Sequence, residues 1–284
     1  MELLRAVAAR EPDRPAYVEA GRRMTFGEWE RCADGLAAEF ARAGVRQGDV
    51  VALVLPSSID YAVCYQAAMR LRAITTGINP RLGPAEIASI VERTEPRVMV
   101  RPEDLEHLRA HYGDEPPDVP HARSDDLVAI VWTSGTTGMP KGATFDHDNL
   151  RAVAIGAGAM GAPHDVRLAP LPFAHVAYMT RPWEEIDSAI TTVIPPTPWK
   201  AIDTLRMMQD ERVTVGQGVP TQWRLVLDHP DFDAFDLSSL RIAGTGAARV
   251  PPELVREMEA RLHCPVVIGY TSTEAAITTG TVPG

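Results

Sequence analysis

Asp49-Val50-Val51-Ala52-Leu53-Val54-Leu55-Pro56-Ser57-Ser58 is the stretch whose reading decides the fold. Six apolar residues run without alternation between an aspartate and a proline, the pattern of a strand buried on both faces, as in a parallel sheet. Ser57 and Ser58 can cap the helix that follows, which places Ile59, Val63, Ala67 and Leu71 on one face. Upstream, Thr25-Phe26-Gly27-Glu28 is a capping box opening a helix with the apolar stripe Phe26, Trp29, Ala33, Leu36 and Phe40, closed by Gly44. Short apolar runs recur at 97–100, 127–132, 166–169, 192–194, 213–215, 240–243 and 266–268. Helical periodicity fills most of the gaps, at 85–93, 149–159, 201–210 and 252–262. Repeated β-α units predict an α/β fold of mostly parallel sheets flanked by helices. The segment 101–126, rich in Pro, Asp and His, reads as a linker or surface excursion and splits the chain into approximate halves, 1–126 and 127–284.

A chain of 284 residues can bury a core without disulfide or metal staples. With 45% hydrophobic and 23% charged residues, it is neither disordered, collagenous nor a coiled coil. A net charge of −10 disfavours nucleic acid and anionic membrane as partners. No apolar run approaches the roughly 18 residues of a membrane span. Met1-Glu2-Leu3-Leu4-Arg5 starts an amphipathic helix and lacks a signal-peptide core. Cys32, Cys64 and Cys264 form no C-x-x-C and are expected to be reduced core thiols of a cytoplasmic protein.

Only two lysines, Lys141 and Lys200, stand among the 28 Lys and Arg residues, so each lysine is informative. Lys141 falls in Thr133-Ser134-Gly135-Thr136-Thr137-Gly138-Met139-Pro140-Lys141-Gly142, directly after the apolar run 127–132. Hydroxyls, glycine amides and one compact cation in a single loop make an oxyanion cradle suited to a polyphosphate. A Walker A loop is excluded, because Pro140 precedes the lysine and Gly142 follows it.

That loop resembles the T-S-G-T-T-G-x-P-K-G signature of the adenylate-forming, AMP-binding superfamily of acyl-CoA and aryl-CoA ligases, luciferases and adenylation domains. Gly44-Val45-Arg46-Gln47-Gly48-Asp49-Val50-Val51-Ala52-Leu53, Ile78-Asn79-Pro80-Arg81-Leu82 and Asp146-His147-Asp148-Asn149-Leu150 are similar to further blocks of that family, in the same order. Thr245-Gly246-Ala247-Ala248 resembles its S-G-A-A segment, whose small residues lie against adenine. Gly269-Tyr270-Thr271-Ser272-Thr273-Glu274 resembles G-Y-G-x-T-E, with Thr271 in place of the usual glycine. The resemblance implies that Tyr270 stacks on adenine, Thr273 contacts the α-phosphate and Glu274 ligates Mg²⁺. An aromatic face, a hydroxyl and a carboxylate suit those tasks. Pro170-Leu171-Pro172-Phe173-Ala174-His175-Val176 resembles P-L-P-x-F-H-V, which implies that His175 lines the acyl pocket near the reacting carboxylate. Ala174 replaces the usual aromatic, leaving a roomier pocket. The aspartate with which amino-acid-activating members hold the substrate ammonium is missing, which favours a simple carboxylic acid.

The resemblance therefore implies ATP-dependent activation of a carboxylic acid to an acyl-adenylate, followed by thioester formation with CoA, with ATP/AMP, Mg²⁺ and CoA as ligands. By the same resemblance the chain corresponds to an N-terminal AMP-binding domain, incomplete at its distal end. The family's ribose-holding aspartate and its C-terminal domain, with a further lysine, come after the last block matched. Lys200 opens a helix and matches no such motif. A C-terminal domain in trans, a stand-alone nucleotide- or acyl-binding module, and a domain loading a carrier protein are the alternatives.

Four other features invite chemistry and are read as structural. Gly156-Ala157-Gly158-Ala159-Met160-Gly161 matches G-x-G-x-x-G, but the preceding 150–155 reads as helix, so a helix end with small-residue packing is expected. His107 and His111 lack the Glu of H-E-x-x-H and read as a solvated helix face. Asp125-Asp126 ends the excursion before a buried strand, and Glu184-Glu185 reads as a solvated helix face.

Overall fold

Parallel pairing dominates both sheets of the computed structural model, which describes residues 2–115, 117, 118, 121–133 and 140–281. The chain begins with α1 (Glu2–Arg10), β1 (Pro15–Glu19), β2 (Arg22–Thr25), α2 (Phe26–Arg42), β3 (Val50–Leu53), α3 (Ile59–Arg70), β4 (Ile74–Gly77), α4 (Pro84–Thr94), β5 (Val98–Val100) and α5 (Leu105–Arg109). It continues with β6 (Leu127–Trp132), β7 (Gly142–Asp146), α6 (His147–Ile155), β8 (Val166–Leu168), α7 (Val176–Met179), α8 (Pro182–Asp187), β9 (Thr191–Ile194) and α9 (Ala201–Asp210). The last elements are β10 (Val215–Gly218), α10 (Pro220–Leu227), β11 (Ile242–Gly246), α11 (Pro252–Leu262), β12 (Val266–Ser272) and β13 (Ala276–Gly280).

The larger sheet runs β13-β12-β11-β10-β8-β9-β1-β2 and the smaller β5-β3-β4-β6-β7. Among the described residues antiparallel pairs occur only at sheet edges, β1 with β2, β12 with β13, and β6 with β7. The fold class is therefore α/β with mostly parallel sheets, and the three antiparallel edge strands are additions to the expected pattern. The first two strands join the larger sheet beside β9, so that sheet draws on both ends of the sequence.

One helix belongs to both layers. The spacing predicts one apolar face for α3, yet every residue from Ile59 to Arg70 is buried. The reason is position: α3 packs on α2, on β1 of the larger sheet, and on β3 and β4 of the smaller one. Such a helix has no side to spare for water, so its polar residues need partners from elsewhere in the chain. Asp60 accepts hydrogen bonds from Arg22 Nη1 (2.9 Å), Arg109 Nε (3.0 Å) and the Tyr112 hydroxyl (2.9 Å). Arg70 is answered by Glu30 and by Asp34, whose Oδ1 lies 3.0 Å from its Nε. Burial pushes the Asp60 carboxyl up, but the bonds from Arg109 and Arg22 outweigh it and hold the group below the usual carboxylate range.

The excursion after β5 is partly helical, with a 3₁₀ turn at Pro102–Asp104 leading into α5, and it docks on α2 through buried Leu108. At its end Asp126 takes two hydrogen bonds from Arg72, at 2.6 and 2.9 Å, immediately before β6. All three cysteines are free, and burial raises the thiols of Cys32 and Cys264 to about 11, so they stay protonated. Among the described residues no helix is long and apolar enough to cross a membrane.

Asp60→Asn leaves three donors facing a neutral amide, and we expect a loss of about 3 kcal/mol in urea unfolding at pH 7. A carboxylate depressed in the folded state contributes stability above about pH 4 that is lost as pH falls. The variant should accordingly show a shallower acid limb in stability against pH.

Candidate active site

Strands β10, β11 and β12 run parallel and end on the same edge, and a cavity of about 430 Å³ lies over those carboxyl ends. This is where open α/β sheets bind ligands. Its floor is largely backbone: Gly218 of β10, Gly244 and Gly246 of β11, and Gly269 of β12 all line it. A Cβ on Gly246 would stand 2.2 Å from the Gly269 carbonyl oxygen, so only glycine permits the two strands this close. Beneath the floor, buried Trp223 donates from Nε1 to the Gly244 carbonyl at 3.0 Å.

The roof is the segment after α6. The helix stops at Ile155 and a 3₁₀ turn covers Gly158–Met160, so the G-x-G-x-x-G match is a helix end, as its context predicts. Sequence reasoning did not foresee that this turn closes a cavity. Two arginines hold its carbonyls, Arg167 on Met160 and Arg241 on Ala159, each at 2.8 Å. The Met160 side chain reaches over Gly244.

Behind the roof lies a buried ionic cluster that corrects the reading of Glu184 and Glu185 as a solvated face. Both are 3% exposed, and Arg167 is 1% exposed. Arg167 pairs with Glu184, and its Nη1 lies 3.6 Å from Glu185, while Arg181 Nη1 lies 3.8 Å from Glu184. The pattern of α8 alone suggests a surface helix because the counter-charge buried with it, Arg167, comes from β8; Arg181, three residues before Glu184, is a local partner. Burial raises Glu185 to about 7 despite Arg167 nearby. Burial also lowers Arg181, with Arg167 adding to the effect. Arg181 forms part of the cavity wall, and among the described residues its side chain donates no hydrogen bond.

His175 lines the same wall, and α3 positions it. The Ser57 hydroxyl preceding α3 accepts from the Phe173 amide at 3.0 Å; Tyr65 donates to the Met179 carbonyl at 2.7 Å. Phe173 stacks on Tyr178 with centroids 3.5 Å apart. His175 caps α7, its Nδ1 accepting from the Ala177 amide at 3.3 Å. Crowding by protein keeps its pKa below the ordinary histidine value, so the ring is neutral at pH 7 with its proton on Nε2. A neutral imidazole in that tautomer is a hydrogen-bond donor.

The other sequence-derived residues fall in three places. Gly246 and Ala247 line the cavity beside His175, and Ala247 takes the left-handed conformation at φ 60° that non-glycine residues rarely adopt. Ala248 is exposed and outside the lining. Tyr270 projects from β12 with 66% exposure, next to Gly269 and Thr271, which do line the cavity. Thr273 and exposed Glu274 sit in the turn between β12 and β13. Thr133 and Lys141 face each other at the mouth of the β6–β7 hairpin, with Thr133 N–H donating to the Lys141 carbonyl at 2.9 Å. Ser134, Gly135, Thr136, Thr137 and Gly138 lie outside the described residues. Arg93 supports the returning strand, donating to the Pro140 carbonyl while its guanidinium lies 4.8 Å over the Trp132 ring.

The fold and cavity together define a ligand-binding protein of the mixed α/β class. The chain belongs to the AMP-binding enzyme family, whose model it matches over residues 4–284. It is 29% identical to the long-chain-fatty-acid–CoA ligase FadD13 of Mycobacterium tuberculosis, with 96% of this chain and 60% of that protein covered. It is 32% identical to a feruloyl-CoA synthase of Amycolatopsis sp, covering 95% of this chain and 58% of that one. The chain thus spans about three fifths of the length of these curated relatives. Among solved structures, the N-terminal domain of FACL13 from Mycobacterium tuberculosis matches with a TM-score of 0.86 at 28% identity, over 96% of this chain and 75% of that one.

A carboxyl raised by burial contributes stability that is full below about pH 4.5 and is lost as pH rises through its folded value. We therefore expect the thermal midpoint of the wild type to fall between pH 5 and 8, and that of Glu185→Gln to fall less over the same window.

Proposed function

We propose that this chain takes part in ATP-dependent activation of an apolar or aromatic carboxylic acid, whose acyl-adenylate then reacts with CoA. The observation that carries the reading is the wall of the cavity. Neutral His175 offers an N–H, Arg181 offers a buried positive charge, and among the described residues no acidic side chain lines the space. That arrangement receives a carboxylate and rejects an ammonium. The rest of the lining is mostly apolar, with Gln217 and three threonines among it, and the cavity is of a size usual for small-molecule sites. The names of the relatives, acyl-CoA and aryl-CoA ligases, agree with such an acid.

In the first step the carboxylate oxygen attacks the α-phosphorus of ATP, the bond to pyrophosphate breaks, and the acyl-adenylate forms. In the second, the CoA sulfur attacks the acyl carbon and AMP leaves. His175 and Arg181 orient the acid, and the strand-end glycines leave room for a nucleotide to approach the backbone. Lys141 and the loop it closes neutralise phosphate charge, Tyr270 offers its face to the base, and Thr273 donates to the α-phosphate. Glu274 has no ion pair among the described residues and so keeps a hard oxygen donor for Mg²⁺, which when bound spreads the charge of the phosphates.

Binding of ATP, AMP and a panel of carboxylic acids to the chain, followed by calorimetry, tests the assignment directly. Lys141→Ala is expected to weaken ATP by roughly tenfold or more and AMP much less, and His175→Ala to weaken the preferred acid roughly tenfold. Equal effects of Lys141→Ala on ATP and AMP would remove it from the β- and γ-phosphates. Failure of every acid to bind would remove the acyl assignment.

A further inference from the structure

The excursion between β5 and β6 brings together three groups that have no part in the cavity. His107 on α5 and His111 just after it are four residues apart, and their rings meet edge to face with centroids 4.9 Å apart. Glu39 on α2 lies beneath both. His107 Nε2 is 3.3 Å from Glu39 Oε1, and His111 Nε2 is 3.8 Å from Glu39 Oε2. One ligand atom from each residue lies within 4.8 Å of the others. Metal–ligand bonds of about 2.0–2.2 Å in tetrahedral geometry separate neighbouring ligand atoms by roughly 3.3 Å, so small side-chain adjustments suffice to seat an ion.

The backbone makes this meeting more than a chance of flexible side chains. The His111 carbonyl oxygen lies 2.1 Å from the point a Cβ on Gly35 would occupy, one turn of α2 before Glu39. Glycine at 35 therefore allows the chain at 111 to touch the helix, and buried Leu108 anchors α5 from the same side. A second carboxylate completes the arrangement. His111 Nδ1 stands 3.0 Å from Asp114 Oδ2 and 3.1 Å from Arg42 Nη2. When Nδ1–H donates to Asp114, Nε2 carries the lone pair and points its basicity toward Glu39, the outer hydrogen bond that metal-bound histidines usually make. Arg42 then keeps its pairs with Asp114 and, at 2.8 Å, with Glu39. Arg42 and His111 hold Asp114 below the usual carboxylate range. For Glu39, partial burial acts upward and is outweighed by Arg42 and His107, so both carboxylates are ionised at neutral pH.

We propose that Glu39, His107 and His111 form a surface site for one divalent transition cation of the zinc type, with water completing the coordination and Asp114 orienting His111. An ion there ties α5 to α2 at a point additional to buried Leu108 and the exposed ion pairs. The site is separate from the cavity, so the proposal does not depend on the reaction assigned there.

The test is a titration of the full chain with Zn²⁺ in competition with a chromophoric chelator. One equivalent is expected to bind, at least tenfold more weakly in His107→Ala, in His111→Ala and in Glu39→Gln. Asp114→Asn is expected to lower affinity about tenfold, as loss of an outer-sphere partner does. Zn²⁺ should also raise the thermal midpoint of the wild type and leave that of the double variant His107→Ala/His111→Ala unmoved; circular dichroism of the metal-free proteins confirms their folding. Unchanged affinity in the double variant would place the ion elsewhere, for example on Cys32, and overturn the site. Absence of binding below millimolar Zn²⁺ would overturn it as well.

Discussion

Everything in this structure is arranged around a helix with no solvent face. Because α3 is clasped by β1 on one side and β3 and β4 on the other, the two sheets share one core cluster, and each has a further apolar cluster of its own, around Trp223 in the larger sheet and Ile90 in the smaller. The cost of that arrangement is the burial of Asp60 and Arg70, and it is offset only by donors and acceptors drawn from α2, from the excursion after β5, and from Arg22. The same helix then holds Phe173 and Met179 through Ser57 and Tyr65, so the wall that carries His175 is fastened to the central helix. Folding and site geometry are thus one problem here.

The second dependence runs through Arg167. A guanidinium buried this deeply is tolerable only because Glu184 and Glu185 are buried with it, and breaking such a cluster on one side leaves an unpaired charge. The same Nη2 group that meets Glu184 also donates to the Met160 carbonyl, and with Arg241 on Ala159 the roof turn is pinned at consecutive carbonyls. A short glycine-rich turn, which would otherwise sample many conformations, is given one.

How much of this could be read in advance depended on whether the physics was local. The runs around Val51, Val131 and Val193 announced strands because both of their faces meet apolar neighbours. Edge strands β2 and β7 gave no such signal: Arg22-Arg23-Met24-Thr25 and Gly142-Ala143-Thr144-Phe145-Asp146 are held by their partners, not by their own hydrophobicity. The second buried face of α3 and the burial of Glu184 and Glu185 were illegible for one shared reason: Arg109 beside Asp60, Glu30 beside Arg70 and Arg167 beside Glu184 all arrive from distant positions. At the site, His175, Gly246 and Ala247 were marked by motif and do lie on the cavity, whereas Arg181 carried no motif and Met160 lay in a glycine motif that reads as a helix end; their place on the cavity is visible only in three dimensions. The grouping of His107 and His111 with Glu39 shows the same division: the pair reads locally as a solvated helix face, and Glu39 joins it only through the docking of α5 on α2.

The glycine floor has a consequence for how this protein can diverge. At Gly246 no side chain fits beside Gly269, and with Gly218 and Gly244 the base of the cavity offers a ligand little besides peptide groups. Whatever a descendant of this sequence comes to accept, position 246 cannot carry a side chain without parting β11 from β12. The neighbouring positions are freer: a Cβ on Gly269 meets nothing within 4 Å, and one on Gly244 meets only the flexible Met160 side chain and a backbone carbonyl at van der Waals distance. Change is thus open to the roof, the wall and most of the floor, around a single fixed point where two strands touch.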